Sequence, residues 1–165
     1  MKNYQLLEIK ENWNELKALS GGKGYYLPMV KNIKRIDIEL EAINLIKEKT
    51  KEFQSFIDEK EALLKKYAKV DEHNNPIKTI EVVEGTQYYK YDIEESDKLK
   101  LEEEGKELVN KYEDVLKKMA DKEQLFIDTM NAECTISFNK IKECDLPSVM
   151  TPEQVELIYD FIEFE

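Results

Sequence analysis

The chain has 165 residues, of which 41% are hydrophobic and 37% are charged, and its formal net charge at pH 7 is -11. This length suits one domain with a core, and the high charge is typical of long helices with a large solvated surface. We do not expect a membrane-spanning helix, because no apolar run approaches the roughly 20 residues that a bilayer requires. The charged start lacks the apolar centre of a signal peptide, so we expect a cytoplasmic protein.

The negative charge is concentrated in two segments. Residues 71–107 contain twelve acidic and five basic residues, and residues 143–165 contain seven acidic and no basic residues. Such segments repel phosphate groups, so direct nucleic-acid binding is not expected. They favour a protein partner with a basic surface, and the alternative is that they only provide solubility.

The first 24 residues predict a strand, a short helix and a break. Residues 3–9 are short and apolar-rich, as in an edge strand, and Trp13 and Leu16 follow on an amphipathic helix. Residues 20–24, Ser-Gly-Gly-Lys-Gly, lack the spacing and the Lys-Ser/Thr pair of a phosphate-binding loop. We therefore interpret them as a linker.

Two long amphipathic helices, at residues 28–69 and 97–131, are the clearest prediction. Apolar residues recur three and four positions apart in both, which places them on one face of each helix. Pro28 is expected in the first turn, where no amide donor is needed. Gly105 lies on the apolar seam, where a close backbone approach or a local bend would explain it. Four apolar residues fall off the main seam and suggest a homodimer or packing by the terminal elements: Ile38, Leu45, Phe56 and Leu63.

The remaining elements are short. A turn at residues 71–76 is followed by a predicted β-hairpin at 77–93, centred on Glu84, Gly85 and Thr86. Residues 135–141 alternate apolar and polar side chains, which is typical of a half-buried strand, and are expected to pair with the N-terminal strand. Thr151, Pro152 and Glu153 predict the start of a last helix at 151–163, with Phe161 and Phe164 off its apolar stripe.

The fold class expected from these elements is mainly α, with some β structure (α+β). A single domain, residues 1–165, would contain a long antiparallel helical hairpin, an inserted β-hairpin, a small sheet and a short C-terminal helix. The small sheet would consist of the N-terminal strand and residues 135–141.

Few residues suit catalysis or metal binding. His73 is the only histidine, and Cys134 and Cys144 lack the close paired spacing of zinc ligands. Carboxylate pairs such as Glu103 and Glu107 are more typical of a solvated helix face than of an acid–base pair or a divalent-metal site. We therefore predict no catalytic, cofactor-binding or metal-binding residue. A divalent-metal enzyme is kept as the least favoured alternative.

Two stretches of the sequence carry motifs that are more specific than composition or spacing. One runs from Leu-Pro-Met-Val-Lys-Asn-Ile-Lys-Arg-Ile at residues 27–36 to Asn-Asn-Pro-Ile at 74–77. The other joins Ile-Ser-Phe-Asn-Lys-Ile at 136–141, Met-Thr-Pro-Glu-Gln-Val at 150–155 and Asp-Phe-Ile-Glu at 160–163. Both resemble an uncharacterised family of small proteins encoded by phages of low-GC Gram-positive bacteria. The resemblance implies a phage context and assigns no catalytic residue.

The function expected from these features is non-enzymatic binding to a host or phage protein with a basic surface. An example would be an acidic inhibitor of a host nucleic-acid-handling or defence complex. The alternative is a structural or chaperone-like helical-hairpin oligomer resembling prefoldin subunits. Aromatic and acidic residues suit a protein contact together, and the candidate partner-binding residues are Tyr88, Tyr89, Tyr91, Glu94, Glu95, Glu102, Glu103 and Phe164.

Overall fold

The computed structural model describes residues 1–83 and 86–164 and is mainly helical, as predicted, with 64% helix. A two-stranded antiparallel sheet and a short C-terminal helix are also present, as predicted. In chain order the elements are α1 (Asn3–Glu11), α2 (Trp13–Ala18), α3 (Lys23–Leu45), α4 (Lys51–Tyr67), β1 (Lys78–Val83), β2 (Thr86–Tyr91), α5 (Glu95–Lys111), α6 (Glu113–Asn131), β3 (Ile141–Lys142), α7 (Pro152–Leu157) and β4 (Ile162–Glu163), with 3-10 turns at Glu143–Asp145 and Tyr159–Phe161.

The chain, expected to be a single domain, divides into two compact units. Unit 1 comprises Met1–Glu48 and Lys122–Glu165, and unit 2 comprises Lys49–Asp121. The core of unit 1 forms where α1, α2 and α3 pack with β3, β4 and the C-terminal turn. Its buried residues are Leu6, Ile9, Leu16, Tyr25, Met29, Ile33, Ile36, Leu40, Ile141, Ile158, Phe161 and Ile162.

The predicted N-terminal strand at residues 3–9 is wrong, because this segment is the helix α1. Leu6 and Ile9 are three positions apart and both are buried, which is helical spacing. The backbone N–H of Lys2 donates to the Gln5 side chain at 2.7 Å, at the start of the helix. The Leu, Gln and Glu residues of this segment also favour a helix over a strand.

The predicted strand at residues 135–141 is wrong over most of its length. Only Ile141–Lys142 form a strand, β3, which pairs in parallel with β4 and not with the N-terminal segment. Residues before β3 are held by side chains of α3. The buried Asn32 donates to the carbonyl of Asn139 at 2.9 Å and accepts from its N–H at 2.7 Å. The alternating pattern therefore reflects an extended segment that packs on a helix.

Each predicted long helix is two helices. The first is interrupted at residues 46–50, where the Thr50 side chain caps α4 by accepting from the Phe53 N–H at 3.2 Å. The second is interrupted at Tyr112, which has φ -110° and ψ 16°. The first interruption separates a helix of unit 1 from a helix of unit 2, and each buries apolar residues of its own. Phe56 is buried and Leu63 half-buried, although the sequence placed both off the apolar seam.

The start of α3 also differs from the prediction. The helix begins at Lys23 and not at residue 28, so Pro28 lies inside it and not in its first turn. Gly24, predicted in the linker, belongs to this helix, and a Cβ there would collide with the Asp145 carboxylate. A larger residue at this position would require the flexible Asp145 side chain to move.

The C-terminal helix starts as predicted and ends early. The Thr151 side chain accepts from the Gln154 N–H at 3.3 Å, and the Gln154 side chain accepts from the Thr151 N–H at 3.1 Å. This capping box opens α7, which ends at Leu157. Because the chain then leaves the helix, Phe161 is fully buried although the sequence placed it off the apolar stripe, and Tyr159 is exposed.

Candidate functional site

The β-hairpin predicted from the sequence is present in unit 2. Strands β1 and β2 pair antiparallel, with Lys78 opposite Tyr91 and Ile80 opposite Tyr89. The predicted turn residues Glu84 and Gly85 lie outside the described residues.

One side of this hairpin is apolar and exposed. Side chains alternate across a sheet, so Ile80 and Val82 share a side with Tyr89, which lies opposite Ile80. Their exposed fractions are 55% for Ile80, 62% for Val82 and 70% for Tyr89. We call these three residues the hairpin face. Three large apolar side chains on one side of a two-stranded sheet mark a surface suited to contact with another molecule.

The four predicted aromatic site residues are not on one surface. Tyr88 lies on the opposite side of the hairpin from Tyr89. Tyr91 lies on the same side as Tyr89, but its hydroxyl donates to Glu61 at 3.3 Å, so this half-buried residue links the base of the hairpin to α4. Phe164 belongs to unit 1, where its ring centroid is 5.1 Å from that of Tyr159. Of the predicted aromatics, only Tyr89 belongs to the hairpin face.

The four predicted acidic site residues cluster on the first half of α5, but two are neutralised locally. Glu94 precedes the first turn and Glu103 is exposed, and neither has an ion pair among the described residues. Glu95 pairs with the adjacent Lys98. The Lys106 ammonium lies 2.7 Å from Glu102 and, as a hydrogen-bond donor, lowers the pKa of that carboxyl. The local field is therefore weaker than the composition suggests.

Helices α4 and α5 are joined by two clasps, each with one carboxylate, one ammonium and one phenol. In the first, Glu104 accepts from the Lys66 ammonium at 2.7 Å and from the Tyr67 hydroxyl at 2.6 Å. These donors lower the pKa of the Glu104 carboxyl. The hydrogen bond to Glu104 raises the pKa of the Tyr67 phenol.

The second clasp has the same chemistry with the helices exchanged. Glu59 of α4 accepts from the Lys111 ammonium at 2.6 Å and from the Tyr112 hydroxyl at 2.8 Å. Its pKa is lowered by the same kinds of donor. In each clasp a residue early in one repeat meets residues late in the other, so the two helices run antiparallel.

These clasps reveal an internal repeat that our sequence interpretation missed. Residues 59–67 and 104–112 both read Glu-x-x-x-Leu-(Leu/Val)-x-Lys-Tyr. The repeat was visible in the sequence as one pattern in two predicted helices. Because equivalent residues make equivalent contacts, α4 and α5 are related by an approximate two-fold axis perpendicular to the plane of the pair.

An apolar groove of about 400 Å³ lies along one side of this helix pair. A Cβ at Gly105 would meet nothing within 4 Å, so the first of the two explanations expected for this glycine, a close backbone approach, does not apply within the chain. Within the described part of unit 2, Phe56 is the only buried residue, with 8% exposure. We call the groove-lining apolar residues the helix face: Phe56, Leu63, Leu64, Leu101, Leu108 and Val109.

Residues with potential for chemistry serve other roles or stand apart. The Asp71 side chain accepts from the backbone N–H of His73 at 2.9 Å and of Asn75 at 2.8 Å, which closes the predicted turn. Cys134 and Cys144 are free thiols. Among residues 1–83 and 86–164, no three His, Cys, Asp or Glu side chains are grouped so as to hold a metal ion.

Comparison of the chain with protein-family models, with curated proteins and with solved structures gives no match. None of the described helices combines the length and the apolar character needed to cross a membrane. The functional interpretation therefore depends on the surfaces themselves.

Proposed function

We propose that this chain is a non-enzymatic protein-binding protein that contacts its partner through the hairpin face. The observation that carries the proposal is the exposure of Ile80, Val82 and Tyr89, 55% to 70%, on one side of a two-stranded sheet. Full burial of such side chains stabilises a contact by roughly 1.5 to 3 kcal/mol each. Tyrosine is also among the residues most often found at the energetic centre of protein interfaces.

The wider architecture in this proposal is a helical hairpin, α4 and α5, with the β-hairpin inserted between them. The clasps hold the helices together, and the Tyr91–Glu61 hydrogen bond supports the base of the strands. The inserted β-hairpin then presents its apolar side to the partner.

The class of partner follows from charge. Glu94 and Glu103 carry no ion pair among the described residues, so their charge is available to attract a basic surface. The sequence resemblance to phage-encoded proteins favours a host or phage protein in the cytoplasm, such as part of a nucleic-acid-handling or defence complex. The acidic chain is unsuited to contact the nucleic acid itself.

Affinity capture from a bacterial lysate tests the hairpin face. The test variant is Ile80→Ser/Tyr89→Ser, and the matched control is Thr79→Ser/Tyr88→Ser on the opposite side of the same strands. We expect the wild type and the control to recover the same protein, and the test variant to recover about tenfold less, which corresponds to 1.4 kcal/mol. Equal recovery by all three proteins, each with native circular dichroism, would contradict the proposal.

The acidic contribution is tested with the captured partner after purification. Raising salt from about 50 to 300 mM should reduce the association rate steeply, because exposed charges are screened. Glu94→Lys/Glu103→Lys should reduce that rate more than Glu95→Lys/Glu102→Lys, since the second pair already has lysine partners. If all four charges can be reversed without any change in rate, the acidic residues serve solubility alone.

A further inference from the structure

We propose that the helix face is a homodimer interface, at which a second copy of this chain packs to complete a four-helix bundle. This inference goes beyond the proposed function and uses a different surface of unit 2.

Packing is the first reason. Among the described residues of unit 2, no further helix makes an extensive contact with α4 or α5, and Val109 remains 47% exposed at the groove. The position above Gly105 is open, so a side chain from another helix fits there. In four-helix bundles, such a seam is covered by a second helix pair, with knobs of one pair filling holes of the other.

Area is the second reason. Each helix has 17 residues, which at 1.5 Å per residue gives a length of about 25 Å. Two adjacent helices, each about 10 Å wide, then present a face of roughly 500 Å². Two copies together bury about 1,000 Å², which meets the lower limit for a specific protein interface.

Symmetry explains why the occupant is a second copy. In a two-fold homodimer every favourable contact occurs twice. Because residues 59–67 and 104–112 already repeat within the face, a second copy provides each contact about four times. An unrelated helix matches only one of the two repeats, and so has no such advantage.

The charge at the groove does not oppose this occupant. The chain as a whole has a net charge of -11, which opposes self-association. The charged residues that line the groove are Lys60, Lys106 and Glu102, so this surface is slightly positive and contains both signs. A second copy is therefore not repelled at the helix face as it is at the acidic segments.

Light scattering and sedimentation at about 100 µM test the proposal, since a dimer with a micromolar Kd is mostly assembled at that concentration. We expect the wild type to have twice the chain mass of 19.5 kDa. Leu101→Lys/Val109→Lys places two charges in the groove and should give the monomer mass. The matched control is Leu99→Lys, which changes a residue of α5 that is 73% exposed and outside the groove, and it should remain dimeric.

Concentration-dependent melting separates loss of the dimer from loss of the fold. The wild-type Tm should rise with protein concentration, and that of Leu101→Lys/Val109→Lys should not, with circular dichroism unchanged at low temperature. Ile80→Ser/Tyr89→Ser should stay dimeric. Failure of the dimer proposal can therefore be distinguished from failure of the proposed partner binding through the hairpin face. A wild-type mass of 19.5 kDa overturns the inference and leaves the face to a different protein. A dimeric Leu101→Lys/Val109→Lys variant also overturns it.

Discussion

Unit 1 and unit 2 contain helices of similar amphipathic character, but they bury their apolar residues differently. Unit 1 has a contiguous core in which residues such as Leu6, Ile36 and Phe161 are fully buried. Among the described residues of unit 2, only Phe56 is buried. Unit 1 is therefore stabilised from within, whereas unit 2 depends on its clasps and on what covers its surfaces.

This difference indicates a division of labour between the units. A surface that binds other proteins must leave apolar side chains exposed, which lowers the stability of the isolated unit. The hairpin face and the helix face are both in unit 2. The following experiments test the contrast, beginning with the largest expected effect.

Removing the buried Phe161 side chain should cause the largest loss. Phe161→Ala is expected to lower the free energy of unfolding by about 3 to 5 kcal/mol, because it leaves a cavity in the core of unit 1. Phe164→Ala, three residues later and half exposed, is the control and should cost far less. Urea denaturation measures both. Equal losses would contradict the assignment of Phe161 to the core.

Replacing the buried Asn32 should have the next largest effect. Asn32→Leu leaves the N–H and the carbonyl of Asn139 without their partners, which should cost about 2 to 4 kcal/mol. Asn44→Leu changes an exposed asparagine of the same helix and should be nearly neutral. If both variants unfold at the same urea concentration, Asn32 does not hold the segment before β3.

Gly105→Ala should stabilise unit 2 by about 1 kcal/mol, because alanine is the better helix former and its Cβ meets nothing. The measurement is best made by thermal unfolding in the Leu101→Lys/Val109→Lys background, where dimerisation does not contribute. A loss of stability in that background would show that the groove above Gly105 is closed.

The smallest expected effect is the pH dependence of the clasps. The pKa values of Glu59 and Glu104 are lowered from 4.5 in the folded chain. Their contribution to stability is therefore present above 4.5 and is lost as the pH falls through the lowered folded values. Glu59→Gln/Glu104→Gln should flatten the decrease in Tm between about pH 6 and 3. Glu103 has no ion pair among the described residues, so Glu103→Gln should leave the dependence of Tm on pH as in the wild type.

Local patterns predicted several elements correctly. The three- and four-residue spacing located the helices, the Asp71 turn and the alternating strands located the hairpin, and Thr151 located the start of α7. Patterns were ambiguous where the segment was short. Residues 3–9 are too short a segment for apolar spacing to separate a strand from a helix, and the segment at 135–140 has a strand-like pattern without a strand partner.

The candidate site was predicted only in part. Tyr89 and the acidic start of α5 were identified from composition, but strand alternation, which was available in the sequence, already separates Tyr88 from Tyr89. The clasps were also readable, as a repeat in residues 59–67 and 104–112, and were missed. The interruption at residues 46–50 was harder to predict, because the apolar spacing continues from α3 into α4 although the two helices belong to different units.

The sequence by itself determined the helical content, the hairpin and the concentration of acidic charge, because these depend on neighbours along the chain. Only the tertiary structure decided that α1 is a helix, that Asn32 holds the segment before β3, and that the seam of α4 and α5 stays open. Periodicity shows which residues lie on the same side of an element. It does not show what packs against that side, and burial depends on that partner.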